Sequence, residues 1–367
     1  MTHPMTEAFK MPWLCDMHRH CRTGKMAAMV TPIAAKTHQL IVAMPNLGTD
    51  RIRTPDQAVA YRDHLIGLGR PHNPLFNVTV PLYLEPDTDT DIVATGWQMG
   101  AWDCAKIYPK NGTTNADFGI DLNRLEELSE VFDVMDRLGM PVLFHAEVQH
   151  DLSGNEIDPF DKEQRTIEIL DRFFERHPRI KTVIEHVTTA QMVHAIERWQ
   201  REGRKIGATV APQYLVWNRG QLFRGGLNPV WYSIPPLKTE DDRAALVRFV
   251  TESTIPWLGT DDAPHPIEAK SRPCGCPGGV FNGPVSPFIY YEVFKLSGKP
   301  DWGKRFIEFA CLRGPAFYGI EINVAEQVMI AEKPWVVPNR YEQNGVSVLP
   351  MFAGEMMPYD LVPCTNE

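Results

Sequence analysis

Eight short apolar runs, spread along the chain and separated by stretches of helical periodicity, leave few folds open. They are WLCDMH (13–18), QLIVAMPN (39–46), FNVTVPLYLE (76–85), CAKIYP (104–109), PVLFHAEV (141–148), TVIEHV (182–187), IGATVAPQYL (206–215) and IPWLGTDD (255–262). Each is short and apolar enough for a strand buried on both faces. Between several of them lie helix signals. Thr54-Pro55-Asp56-Gln57 reads as an N-cap, a proline at the first helical position and a capping-box glutamine. In 122–138, Leu125, Leu128, Val131, Phe132, Met135 and Leu138 recur at three- and four-residue steps, and Gly139 supplies the stop. Thr188 with Gln191 makes a second candidate capping box. Eight strands alternating with helices predict an α/β fold closed as a (β/α)8 barrel, one domain over 1–367 with a C-terminal extension. A doubly wound open sheet is the rival, weakened because no glycine-rich dinucleotide fingerprint follows the first strand.

Composition narrows the partners. The 367 residues include 37 basic and 46 acidic side chains, for a formal net charge of −9. A net acidic chain has no broad basic footprint, so nucleic acid is not its expected partner. No apolar run approaches the roughly 20 residues that span a bilayer. The amino end, MTHPMTEAFKMPW, lacks the basic and apolar regions of a signal peptide. Cys15, Cys21, Cys104, Cys274, Cys276, Cys311 and Cys364 are odd in number and mostly isolated, which fits a reducing compartment and predicts a cytoplasmic protein.

In such a barrel the functional side chains come from the carboxyl ends of strands and the loops after them. His18 and His20 close the first run, His145 lies late in the fifth, His186 ends the sixth and Asp261 ends the eighth. The two-residue spacing of His18 and His20 puts both rings on one face of an extended strand, where they can share an ion. Singly each of these residues has a structural explanation; together, at four strand ends, they predict a metal site. His38, His64, His72, His177 and His194 fall in predicted helices or loops without such a relation. Lys106 sits inside an apolar run, where a bare ammonium is costly to bury. Either it points outward into solvent, or it carries CO2 as a carbamate, with one oxygen for each of two ions. Arg22, on the loop side of the histidine pair, can clamp a carboxylate with its planar fork, and Asn46 can donate its amide. Cys274-Gly275-Cys276 has neither thioredoxin nor zinc-ribbon spacing and reads as a loop feature.

Seven segments in order carry a resemblance: Asp16-Met17-His18-Arg19-His20-Cys21-Arg22, Met44-Pro45-Asn46-Leu47, Ala105-Lys106-Ile107-Tyr108-Pro109, Thr113-Thr114-Asn115, Glu185-His186-Val187-Thr188-Thr189, Gly259-Thr260-Asp261-Asp262-Ala263-Pro264-His265 and Cys274-Gly275-Cys276. From about residue 12 to Leu361 the chain resembles the shorter, stand-alone bacterial dihydroorotases of the amidohydrolase superfamily. That resemblance implies a zinc-dependent enzyme that closes N-carbamoyl-L-aspartate reversibly to L-dihydroorotate in pyrimidine synthesis. It implies two Zn2+ per subunit, with His18, His20 and Asp261 on one and His145 and His186 on the other. Carboxylated Lys106 would bridge them, and Asp261 would serve as general base and then acid to a metal-bound hydroxide. Arg22, Asn46 and His265 would hold the substrate carboxylate, with backbone near Ile234 and Pro277 against the pyrimidine ring. A loop carrying Thr113 and Thr114 would cover the ligand, and the assembly would be a homodimer. Two positions depart from the family pattern: Thr23 replaces an aspartate, and Pro277 replaces a small residue with a free N–H. A related hydantoinase- or dihydropyrimidinase-like enzyme acting on another cyclic amide is the alternative these departures leave open.

Overall fold

All eight apolar runs form strands. In the computed structural model, which describes residues 8–272 and 274–364, they are β2 (Leu14–Arg19), β3 (His38–Ala43), β4 (Asn77–Thr79) with β5 (Leu82–Tyr83), β6 (Ala105–Ile107), β7 (Val142–Phe144), β8 (Thr182–Ile184), β9 (Ile206–Val210) and β10 (Pro256–Leu258), preceded by a short β1 (Phe9–Pro12). The first seven residues of the amino-terminal stretch discussed above lie outside the described residues. The 76–85 run is one strand broken in two: Pro81 has no N–H for a ladder bond, so β4 pairs in parallel with β3 while β5 pairs with β6.

Two parallel sheets result, ordered β2-β3-β4 and β5-β6-β7-β8-β9-β10. Their outer edges meet where Arg19 bridges Asp262. There His20 N donates to Asp262 O at 3.0 Å and Asp261 N to His18 O at 2.9 Å. The broken strand on one side and this seam on the other complete the ring, as the expected (β/α)8 barrel requires. Alternate residues of successive strands, among them Cys15, Met17, Leu40, Val42, Cys104, Leu143, Val183 and Trp257, pack into one cluster, the pattern of side chains that fill a barrel. A larger cluster lies between the strands and the surrounding helices.

The helix signals hold with two corrections. Thr54 forms the full capping box of helix Pro55–Gly69, and Gly139 ends helix Ser129–Leu138 at φ 70°. The 122–138 periodicity is not one helix. Leu122–Leu128 is a 3-10 turn kinked at Arg124, and the α-helix starts at Ser129. The cap of helix Ala190–Arg201 is Thr189, which accepts from Met192 N. Thr188 instead donates its hydroxyl to the buried Glu163 carboxylate at 3.0 Å. His38, expected in a helix or loop, begins β3.

The C-terminal extension folds back on the amino end. β11 (Gln327–Val336) and β14 (Met356–Pro363) pair antiparallel, and β1 joins the far edge of β11. β12 (Tyr341–Gln343) and β13 (Val346–Val348) make a hairpin between them. Among the described residues no helix is long and apolar enough to cross a membrane.

Candidate metal centre

Strand alternation explains why the site residues point inward, and local breaks in it explain the rest. Cys104 and Lys106 share one face of β6, and Val183 and Glu185 share one face of β8, so Lys106 and Glu185 extend the interior cluster toward the carboxyl rim. On β2, Cys15 and Met17 point inside, and strict alternation would turn His18 away. A bulge intervenes: Asp16 to Arg19 opposes only Ile41 to Ala43, and the extra residue re-aims His18 and His20 at the rim. His186 and Asp261 sit at backbone φ 41° and 45°, a left-handed conformation uncommon for residues other than glycine.

Beneath the rim a buried ion network holds these turns. Arg19 Nη2 donates to Asp262 Oδ2 at 2.8 Å and Nη1 to Asp16 Oδ2 at 3.2 Å, while Thr260 Oγ1 donates to the same Asp16 oxygen at 2.6 Å. Arg19, Asp16, Asp262 and Thr260 are all fully buried.

The predicted ligands converge. His18 Nε2 lies 3.4 Å from His20 Nε2 and 3.4 Å from Asp261 Oδ1, and His20 Nε2 lies 3.3 Å from that same oxygen. The His186 ring sits 5.1 Å from His18 and 4.5 Å from His145. Lys106 is wholly buried, which overturns the outward, solvated orientation. Its Nζ contacts Glu185 Oε2, and Glu185 Oε1 lies 3.0 Å from His18 Nδ1. His145 Nε2 approaches Glu147 Oε2 at 2.8 Å.

Burial sets the charge states. It pushes Lys106 well below the ordinary lysine range and lowers His18, His145 and His186. His20 is brought down to about 3 by burial and the Arg22 charge. Burial opposes ionisation of Asp261, but the His18 and His20 imidazoles outweigh it and hold that carboxyl well below its usual range. The set is therefore neutral imidazoles, an ionised carboxylate and an amine disposed to be neutral, the protonation states that metal ligation and carbamate formation require. Lys106 Nζ, both Glu185 oxygens and the Nδ1 atoms of His18, His20 and His186 are buried without a hydrogen bond of acceptable geometry. So many orphaned groups in one place fit a cation-binding centre.

Above the centre lies a narrow crevice, lined by the histidines and Asp261 together with Arg22, Asn46, Tyr108, Thr113, Thr114, Ile234, Ala263, Gly278 and Gly279. Arg22, itself at φ 61°, donates Nε to Pro264 O at 3.2 Å. His265 Nε2 lies 3.0 Å from Arg22 Nη2 and 3.1 Å from Gly278 O. Burial and Arg22 lower His265 to about 2, so its neutral ring either accepts from Arg22 or donates to Gly278. Asn46 ties the roof: its Nδ2 donates to Thr114 O at 3.0 Å, and its Oδ1 accepts from Tyr108 OH at 3.1 Å.

Of the residues named from sequence, His265 reaches the crevice through Arg22, and Pro277 lies beside it, with Gly278 and Gly279 forming the wall. Thr23 is exposed at the start of helix Gly24–Ala35 and is not among the residues that line the crevice. Cys274 and Cys276 are free thiols on the loop. Sequence reasoning missed the roles of Glu185 and Glu147. Glu185 was findable two residues after Val183 on the same strand face, immediately before His186, and Glu147 as the second residue after His145.

No family model matches the chain. It is 34% identical over 357 residues to a dihydroorotase of Halorhodospira halophila, covering 97% of this chain and 99% of that one. It is 35% identical over 350 residues to a mitochondrial dihydroorotase of Oryza sativa, covering 94% of this chain and 83% of that one. A crystal structure of dihydroorotase from Saccharomyces cerevisiae in complex with 5-fluoroorotic acid superposes with a TM-score of 0.90 at 24% identity, covering 99% of this chain and all of that one. An L-hydantoinase from Arthrobacter aurescens shares the fold, at TM-score 0.78 and 16% identity over 97% of this chain and 83% of its own. With relatives above 30% identity matched along nearly their whole length, the chain belongs to the dihydroorotase family.

Proposed function

We propose that this enzyme, a cyclic amidohydrolase by family, closes N-carbamoyl-L-aspartate reversibly to L-dihydroorotate. The observation that carries the reading is one crevice with two chemistries: a convergent histidine–aspartate cluster on its floor and an Arg22–His265 pair with Asn46 on its wall. A cyclic amide that bears a carboxylate satisfies both.

His18, His20 and Asp261 would hold one divalent cation and His145 and His186 a second, with Lys106 between them as a carbamate. The buried amine is suited to that modification: its lone pair attacks CO2 and a proton is released, leaving an anion where an ammonium would repel cations. When bound, two zinc ions supply a water of lowered pKa and a Lewis acid for the scissile carbonyl. Glu147, 2.8 Å from His145 Nε2, would fix the orientation of that ring, and Glu185, which faces His18 Nδ1, would do the same for His18 once a cation is held.

Arg22 and Asn46 bind the carboxylate and so orient the ring. In the hydrolytic direction the Asp261 carboxylate accepts the proton of the attacking water, then delivers it to the ring nitrogen as the C–N bond breaks. The same carboxylate runs the closure in reverse. Thr113 and Thr114 cover the reactants and exclude bulk water.

The test is hydrolysis of L-dihydroorotate before and after chelation and after zinc is restored. Activity lost and regained with two zinc ions per subunit supports the reading. Turnover of uncharged ring amides in preference to dihydroorotate would assign the site to a hydantoinase-like reaction instead.

A further inference from the structure

Lys270 ends the four-residue helix Ile267–Lys270, in the loop that follows β10, and its side chain runs inward: the residue is only 5% exposed. Its Nζ donates to Tyr232 O at 2.7 Å and to Pro277 O at 2.9 Å. Among the described residues no carboxylate pairs with it. The titratable groups that face it are the Cys276 thiol, the Tyr232 phenol, Arg22 and His265. Placing an ammonium here is unfavourable, and burial, with Arg22 adding to it, pushes its pKa down to about 8.

The two carbonyls show what that ammonium does. Tyr232 lies two residues before Ile234, and Pro277 immediately precedes Gly278, so the grip joins the two segments that wall the crevice. Gly279 N donates to the same Tyr232 carbonyl at 2.9 Å. Neither glycine could carry a side chain there. A Cβ on Gly278 would run into Ile234, and one on Gly279, at φ 147°, would meet Ala263 O at 2.5 Å. Gly278 O in turn faces His265 Nε2 at 3.1 Å and accepts from Thr114 Oγ1 at 3.5 Å. Ile234, the glycine pair, the His265 partner of Arg22 and the roof contact thus all depend on one clamped segment. Pro277 has no N–H to give, and what it contributes is the carbonyl that Lys270 holds.

We propose that Lys270 is a positioning residue for an anionic substrate. It clamps the Tyr232 and Pro277 carbonyls so that the wall and the Arg22–His265 pair are preformed, and its charge adds to the field that draws the substrate carboxylate. The substrate half of this rests on the dihydroorotase reading; the clamp does not.

The test uses Lys270→Met in the zinc-loaded, full-length protein. Amide hydrogen exchange across residues 274–280 should quicken, and KM for L-dihydroorotate should rise about tenfold with kcat within about threefold and zinc content unchanged, the signature of lost binding rather than lost chemistry. Lys270→Arg restores two donors and a charge that does not titrate, so KM returns toward wild type at pH 7. The sign of the pH effect follows from loss of the ammonium above about pH 8. Wild-type KM should climb through that region, Lys270→Arg should abolish the climb, and Cys276→Ser should keep it. Unchanged exchange and KM in Lys270→Met overturn the proposal, as does a joint loss of kcat and zinc. If that variant does not fold, a climb that persists in Lys270→Arg overturns it instead. Faster exchange in a protein whose wild type never turns over dihydroorotate supports the clamp and sinks the substrate reading.

Discussion

Asp261 and Lys106 answer to different experiments although they share one centre. On the proposed assignment Asp261→Ala would remove a metal ligand and the proton carrier together, so turnover of dihydroorotate should fall below detection in a steady-state assay. Lys106→Ala should lose activity together with bound metal, read by elemental analysis; a variant with full metal and full rate would remove Lys106 from the bridge. Arg22→Met should act on binding, raising KM for carbamoyl aspartate by about tenfold or more because a charge-assisted fork is lost. Glu163 offers a pH test remote from turnover. Its carboxylate accepts from Thr188 N at 2.8 Å and from Thr188 Oγ1 at 3.0 Å, and burial raises its pKa to about 7. The folded state therefore holds a proton that the unfolded chain releases near pH 4.3, and stability from this group declines as pH rises from there to about 7. Glu163→Gln keeps the Thr188 N–H bond through its carbonyl oxygen, turns the other contact round so that its amide donates to Thr188 Oγ1, and should flatten that decline in thermal melts across the interval.

At the scale of elements, the roof and the seam make separate predictions. Thr113→Gly combined with Thr114→Gly loosens the roof that Asn46 holds, and should lower kcat more than it changes KM; a wild-type kcat would leave these residues without a covering role. Arg19→Met leaves the Asp16 and Asp262 carboxylates buried and uncompensated, and should cost about 3–5 kcal/mol in urea denaturation. The strands were legible because each is a short apolar run with turn signals at its ends, and the convergence of the candidate ligands was legible because they close those runs. Pro81 was visible in the 76–85 run, but its effect on pairing needs the neighbours of both halves. Thr188 and Thr189 are adjacent candidates for the same cap; only the nearby Glu163, on another element, decides between them. Glu185 carries an ordinary acidic side chain in sequence, and its role appears only when β2 and β6 bring His18 and Lys106 to it. Lys270 stayed hidden for the same reason, since its partners are main-chain carbonyls that no residue type announces.

For the molecule as a whole, a bound cation stabilises whatever conformation assembles its ligands. Zinc held at a hundredfold excess over its dissociation constant should add about 2.7 kcal/mol per site to the folded state, seen as a rise in the unfolding midpoint over the chelated protein. The seam gives this a temporal side. Arg19 and Asp262 stand 243 positions apart, so a nascent chain carries its first two imidazoles long before their partner carboxylate exists. At about 5–20 residues per second the ribosome takes roughly 10–50 s to supply it. Through that interval the emerging polypeptide lacks a closed ring, and the proposed cation cage can be completed only once synthesis has delivered β10 and the residues just after it.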